Sequence, residues 1–257
     1  MTKEVLYGRQ AVRESLQAGR RKPYRLLLAE GIRQTDVIGQ IISLARDAGI
    51  PIVYSDRHAL GRLVRPVGGS GHHQGVVLEA EAYPYVALDE VLERAAVSHT
   101  PPLILLLDQL QDPQNVGSLM RTGEAAGVHG VVLQHRRSVS VTPAVVRASA
   151  GAVEHVWVAE VTNLVRAMEA IKARGLWLAG LESVPEAAWY DQIDLTLPLG
   201  VVVGSEGLGL RRLVRERCDF LLRLPMAGRV NSLNAAVAGA IVLYEIVRQR
   251  RDTALAD

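Results

Sequence analysis

Asn115 and Arg121 in NVGSLMRTGEAAG, Glu206 in GSEGLG, and Ser232 and Asn234 in PMAGRVNSLNAAVAGAIVLYE are the residues of this chain best suited to chemistry. Six positions separate Asn115 from Arg121, so on a helix opening near Asn115 the two lie within two turns of each other. Arg121 offers five fixed donors suited to a phosphate; a surface ion pair with Glu124 is the competing use. The glycines of GSEGLG let backbone approach a flat ligand, with Glu206 among them as an acceptor or as a partner for Arg121. The polar run from Pro225 to Ser232 leads straight into a long helix of small and apolar residues. Exposed N–H groups at such a start attract anions and polar ligand edges, and Asn231 or Ser232 serves as N-cap. These residue types specify a ligand site and leave its reaction open.

Other chemistries find little support. GSEGLG lacks the third glycine of G-x-G-x-x-G and has no Walker lysine, so neither a dinucleotide fold nor a P-loop is indicated. Ser205 is not in a G-x-S-x-G elbow. His99, His129, His135 and His155 lack metal-ligand spacing, adjacent His72 and His73 make a poor metal pair, and no metal is implied. Cys218, the single cysteine, leads into a strand and is read as structural.

The elements that must position these residues alternate, which marks α/β packing. Strands are predicted at Tyr24 to Ala29, Pro51 to Ser55 and Gly75 to Glu79, with helices over Gly8 to Gln17, Thr35 to Ala48 and Asp56 to Val64. Prolines 84, 101 and 102 surround one short helix, Leu88 to Ala96, and mark a linker over 81–102 between domains at 1–80 and 103–257. The second domain opens with LILLLD, Leu103 to Asp108, a strand apolar enough to be buried on both faces of a parallel sheet. Further strands are predicted at Gly130 to Gln134, His155 to Val158, Leu176 to Leu181, Gly200 to Gly204 and Phe220 to Leu224. Helices fall at Val116 to Ala126, Thr162 to Ala173 and Leu210 to Glu216, with a closing helix from Ser232 to about Arg250. In such a sheet the polar turns gather at the carboxyl edge, where ligands bind.

At 257 residues and 49% hydrophobic content the chain can bury sizeable cores. No apolar run reaches the roughly 18 residues of a membrane span, and MTKEVLYGRQ has no signal core. A cytoplasmic location without membrane attachment is the expectation. Net charge is only +2, yet residues 1 to 78 carry twice as many basic as acidic side chains. Arg20, Arg21, Lys22 and Arg25 cluster in a predicted loop, which suits phosphate neutralisation or a solvated surface equally. Arg136, Arg137 and Arg147 flank loops farther along and are candidates to extend such a phosphate-binding path.

Taken in order and spacing, NVGSLMRTGEAAG, GSEGLG and PMAGRVNSLNAAVAGAIVLYE resemble the three motifs of the SpoU family, also called TrmH, of RNA ribose 2′-O-methyltransferases that use S-adenosylmethionine. The resemblance covers about Leu103 to Arg250. GRQAVRESL and HHQGVVLEA resemble the ends of the small RNA-binding domain, of ribosomal protein L30e type, that precedes the catalytic domain in many members. The implied fold is that domain followed by an α/β trefoil-knot (SPOUT) domain, an exception to the rule that chains are unknotted. The two-domain arrangement is most similar to the subgroup methylating a guanosine ribose in the peptidyl-transferase loop of 23S rRNA; tRNA or another rRNA site is the alternative substrate. A non-catalytic RNA-binding or ribosome-assembly protein on the same fold is the alternative class.

The resemblance also implies roles. Gly204, Leu224 and Leu233 match positions whose backbone contacts S-adenosylmethionine, with Met226, Gly228 and Ser232 beside them. Asn115, Arg121, Glu206, Ser232 and Asn234 match the polar catalytic positions. Arg9, Arg20, Arg21, Lys22, His73 and Gln74 are the expected RNA contacts. A guanidinium stays protonated at neutral pH, so Arg121 is read as clamping a phosphate and stabilising oxyanion charge, with the proton leaving to solvent or phosphate. Ala235 and Ala236 stand where the family commonly has a further small polar residue, often serine. A homodimer packed through the knotted domain is implied as well.

Overall fold

The computed structural model describes residues 3–69, 73–229 and 232–254. These form two compact units, one running to Pro84 and including Val141–His155, the other comprising Tyr85–Ser140 and Val156 onward.

The first unit carries a mixed four-stranded sheet in the order β1-β4-β2-β3, built from β1 (Lys3–Tyr7), β2 (Pro23–Ala29), β3 (Ile52–Ser55) and β4 (Val76–Glu81). Strand β4 runs antiparallel to both neighbours, and β3 is parallel to β2. Helices α1 (Arg9–Ala18), α2 (Asp36–Asp47) and α3 (Arg57–Val64) connect them. Thr35 and Asp56 cap α2 and α3 by accepting from the Ile38 and Ala59 N–H groups.

Residues 141–155 add helix α6 (Pro143–Ala148) and a 3₁₀ turn (Ala152–His155) to this unit. Their position follows from burial. Glu154 is fully buried, and a carboxylate there requires a countercharge. Arg21 supplies it at 2.8 Å and pairs also with Glu4 at 2.6 Å. The division expected at residues 80 and 103 therefore differs from the observed units in two places: 141–155 joins the first unit, and α4 (Leu88–Ala96) packs in the second rather than spanning a linker.

The second unit is built on a seven-stranded, wholly parallel sheet in the order β7-β6-β5-β10-β8-β11-β9. Its strands are β5 (Leu103–Asp108), β6 (Gly130–Gln134), β7 (Val158–Val161), β8 (Trp177–Leu181), β9 (Ala188–Trp189), β10 (Leu199–Gly204) and β11 (Phe220–Arg223). Every residue of β5 and β10 is buried, as central parallel strands covered on both faces require. One face packs α4, α7 (Leu164–Ala173) and α8 (Arg212–Arg217) around Ile104, Leu106, Leu178 and Val202. On the other face lie α5 (Pro113–Ala125) and α9 (Ala235–Ala254), brought close because Gly239 lacks a side chain where Leu119 of α5 and Val203 of β10 press in.

Candidate functional site

The carboxyl edge of this parallel sheet collects the polar turns. Register places Gly204 at the end of β10 opposite Asp108 at the end of β5. After Asp108 the chain turns through Gln109, in the left-handed region at φ 58°, to Asp112, whose carboxylate caps α5 by accepting from the Gln114 N–H. Asn115 thereby falls in the first turn of α5, 7% exposed.

Asn115 meets Glu206 and Asn234 there. Asn115 Nδ2 donates to Glu206 Oε1 at 2.6 Å, and Asn234 Nδ2 donates to the same oxygen at 2.6 Å and to Asn115 Oδ1 at 2.9 Å. Asn234 Oδ1 accepts from the Ala236 and Val237 N–H groups at 2.9 and 3.3 Å, which makes Asn234 the N-cap of α9 and fixes which end of its amide faces Glu206. The closing helix therefore begins at Ala235, three residues later than expected; of the two expected caps, Ser232 precedes the helix and Asn231 lies outside the described residues.

A pocket of about 480 Å³ opens beside this network. Gly204, Glu206, Leu224, Met226, Ser232, Leu233 and Asn234, all expected site residues, line it; Asn115, Arg121 and Gly228 do not. Gly204 is required by the protein's own backbone: a Cβ there would overlap the carbonyl carbon and oxygen of Gly209 and stand 2.6 Å from the Leu210 nitrogen. A Cβ at Gly228 would meet nothing within 4 Å among the described residues. The loop between Gly204 and Leu210 closes on itself, with Gly209 N–H donating to the Ser205 carbonyl at 3.0 Å.

Sequence reasoning missed the residues that hold this loop. Glu182, at the end of β8, lines the pocket and accepts from the Leu210 N–H at 2.9 Å. Asp108, almost fully buried, accepts from the Arg211 N–H at 2.9 Å and from its Nε at 2.6 Å. Each acid follows an apolar run, and a carboxylate closing a buried strand was the available signal. Cys218 is only partly exposed, and burial pushes its thiol up to about 12, which makes it a poor nucleophile.

Arg121 lies on an exposed face of α5 and has no hydrogen bond or ion pair among the described residues; the alternative pairing with Glu124 does not form. The expected RNA contacts of the first unit fare differently from one another. Lys22 is exposed. Arg21 is fully buried as a side chain, and although burial opposes its charge, Glu154 and Glu4 outweigh that and raise its pKa. It is a structural residue and not a surface contact. Arg20 donates to the Tyr83 hydroxyl at 3.1 Å and to the Pro84 carbonyl at 3.2 Å.

Arg9 and Gln74 meet at the start of α1, while His73 lies near Arg57. Gln74 Oε1 accepts from the Arg9 N–H at 2.9 Å, capping that helix from 65 residues away, and Arg9 Nε donates to the Gln74 carbonyl at 3.3 Å. His73 is buried and its Nδ1 accepts from the Gly75 N–H; burial and the nearby Arg57 lower its pKa. His72 lies outside the described residues. Arg147 belongs to the first unit, over the Tyr7 ring at 5.6 Å.

Comparison with known proteins gives this geometry a family. Residues 102–244 match the SpoU rRNA methylase family, and residues 5–86 match the RNA 2′-O ribose methyltransferase substrate-binding domain. A putative TrmH family tRNA/rRNA methyltransferase, YacO, from Bacillus subtilis is 44% identical, over 96% of each chain. The 23S rRNA (guanosine-2′-O-)-methyltransferase RlmB of Pseudomonas putida is 41% identical, over 96% of this chain and 97% of its own. The crystal structure of the SpoU methyltransferase AviRb from Streptomyces viridochromogenes, in complex with AdoMet, superposes with a TM-score of 0.78 at 25% identity, covering 97% of this chain and 91% of that one. A carboxyl-edge pocket on an all-parallel sheet, an interlocked Asn115–Glu206–Asn234 set and matches spanning both units lead to one assignment: the chain belongs to the SpoU/TrmH family of RNA methyltransferases.

Proposed function

We propose that this protein transfers the methyl group of S-adenosylmethionine to a ribose 2′-hydroxyl of RNA, a guanosine in the peptidyl-transferase region of 23S rRNA. The observation that carries the reading is the Asn115–Glu206–Asn234 set at the rim of the pocket, where three separated motifs meet through side-chain hydrogen bonds. The activity for which the Pseudomonas putida relative is named supports the substrate, and the AdoMet in the AviRb structure supports the cofactor.

The pocket's residues fit that cofactor. Its volume is that of a small-molecule site, and its lining combines apolar Leu181, Leu224 and Met226 with the carboxylates Glu182 and Glu206. Such a lining suits a flat base, hydroxyls and a positive charge together. When bound, the cofactor supplies an electrophilic methyl group. Gly204, Leu224 and Leu233 would hold it through backbone, with Met226 and Ser232 alongside. Asn115, Glu206 and Asn234 tie α5, the 205–209 loop and the start of α9 into one rigid rim, so the attacking ribose meets a preformed surface. Arg121 clamps the adjacent phosphate and stabilises charge developing on the 2′-oxygen, and the proton leaves to phosphate or solvent.

Calorimetry with S-adenosylmethionine is expected to show binding; none at millimolar cofactor sinks the enzyme reading in favour of an RNA-binding or assembly protein. Mapping 2′-O-methyl sites in cells with and without the gene is expected to show loss at one 23S rRNA guanosine. Loss in tRNA or at another rRNA position keeps the reaction and overturns the substrate.

A second copy of the chain is the proposed partner of α9. Val237, Ile241 and Tyr244 form an exposed apolar stripe at helical spacing along it, 47%, 36% and 53% exposed. The expected light-scattering mass is twice 27.9 kDa, and a monomer mass overturns the dimer. The proposed location is the cytoplasm; among the described residues no helix is long and apolar enough to cross a membrane.

A further inference from the structure

Beside the pocket, on the side of β5 and β6, the same carboxyl edge carries arginines that the cofactor pocket does not use. Arg211 is the fixed one. Its Nε is held at 2.6 Å by Asp108 and its Nη2 donates to Gln134 Oε1 at 2.9 Å, while Nη1 has no partner among the described residues and the side chain is 39% exposed. A guanidinium anchored through two of its three nitrogens presents the third in a set direction, with little side-chain freedom left to lose on binding.

Arg136 and Arg137 lie two and three residues beyond Gln134, past His135, both exposed and neither ion-paired among the described residues. The loop that carries them is shaped. Arg137 sits in the left-handed region at φ 62°, a conformation that costs a residue with a side chain. The loop after β5, which leads to Asn115, holds it there: the Val139 N–H donates to the Leu110 carbonyl at 2.9 Å and Gln111 Nε2 donates to the Arg137 carbonyl at 3.4 Å. That second loop has its own left-handed residue, Gln109.

Register sets the distance. Asp108 is level with Gly204, and Gln134 follows Leu133, the partner of Leu107. Strands lie about 4.8 Å apart, so Arg211, bridging the ends of β5 and β6, stands within roughly 10 Å of where the pocket begins. That is a nucleotide's reach.

We propose that Arg211, Arg136 and Arg137 form a phosphate-binding arm of the active site, taking the RNA backbone next to the nucleotide whose ribose enters the pocket. The proposal rests on the RNA methyltransferase reading. Its contacts are to phosphate and carry no sequence preference.

The test uses the full-length protein and a fluorescent transcript of the 23S rRNA peptidyl-transferase loop, with affinity measured across a salt series. Arg136→Ala with Arg137→Gly removes two guanidinium groups while glycine keeps the left-handed turn. The slope of log affinity against log salt is expected to fall by about 1 per arginine removed, and affinity to fall equally for a scrambled transcript, with S-adenosylmethionine binding within twofold of wild type. Arg211→Lys keeps the charge beside Asp108 and loses the fork; its RNA affinity is expected to fall while its melting temperature and cofactor binding hold. Wild-type binding with an unchanged slope and affinity in the double variant overturns the arm and leaves the methyltransferase reading standing. Absence of both RNA binding and methyl transfer in the wild type overturns the two together.

Discussion

Gly204→Ala is expected to destabilise the second unit by about 3 kcal/mol and to lower its melting temperature by roughly 6 to 12 °C, with cofactor affinity falling at least about tenfold. The reason is geometric. The new methyl would overlap backbone atoms of Gly209, and backbone cannot step aside as a flexible side chain does. Displacing the loop strains the hydrogen bonds from Leu210 N–H to Glu182 and from Arg211 N–H to Asp108, and each buried acceptor left bare adds to the cost. The same displacement moves Glu206 away from Asn115 and Asn234, so stability and ligand binding fall together. Gly228→Ala is the matched comparison: its Cβ meets nothing among the described residues and its backbone is not left-handed, so its stability is expected to stay within about 0.5 kcal/mol of wild type. Scanning calorimetry of both variants decides it. Equal melting temperatures would mean that the loop tolerates a Cβ and that the glycine is needed only for the ligand.

The contrast also marks what a sequence can disclose. LILLLD was readable as a doubly buried parallel strand because burial on both faces leaves a local trace, an unbroken apolar run. The helix over Leu88–Ala96 was readable for a similar reason, its apolar periodicity. Asn115, Glu206 and Asn234 were readable as a group only through the family resemblance, since 91 and 119 residues separate Asn115 from the other two. The start of the closing helix was misplaced because Ser232 and Asn234 are both competent caps, and only the bonds from Ala236 and Val237 choose between them. Arg21 looked like part of a basic loop; that it is buried depends on Glu154, 133 residues later, in a segment that leaves the second unit to complete the first. β1 has only five residues and escaped prediction, and its pairing with β4 is long-range. β7 was expected at His155 to Val158 and begins three residues later, because Ala152–His155 is spent on a 3₁₀ turn that sets Glu154 against Arg21.

These distant pairings share a physical logic. Asp108, Glu182 and Glu206 each end or follow an apolar strand, and each accepts from a group on another segment at the carboxyl edge. The parallel sheet fixes where the strand ends lie, and the carboxylates convert that into fixed positions for the turns above. A site assembled this way is rigid before any ligand arrives, which is what an in-line transfer between two bound partners needs.

Arg121 stands outside that rigid set, and its substitution is expected to have the largest effect on turnover. Arg121→Ala should lower kcat for methyl transfer by about 10² to 10³-fold, the loss typical of removing one preorganised donor to a developing oxyanion, while S-adenosylmethionine binding measured by calorimetry is unchanged. The helix holds its backbone: α5 is tied at one end through Asn115 and pressed against α9 where Leu119 meets Gly239. The side chain itself is exposed and unpartnered among the described residues, so its donors are free for substrate. Arg121→Lys separates charge from geometry. An ammonium keeps the positive charge but not the two-pronged fork, so kcat is expected to recover only in part. Near-full activity with lysine would sink the bidentate clamp, and near-full activity with alanine would remove Arg121 from the reaction. The pH profile of kcat supplies the remaining discrimination: with the proton leaving to phosphate or solvent, the lysine variant keeps the wild-type profile, whereas a residue acting as the base would shift it on replacement.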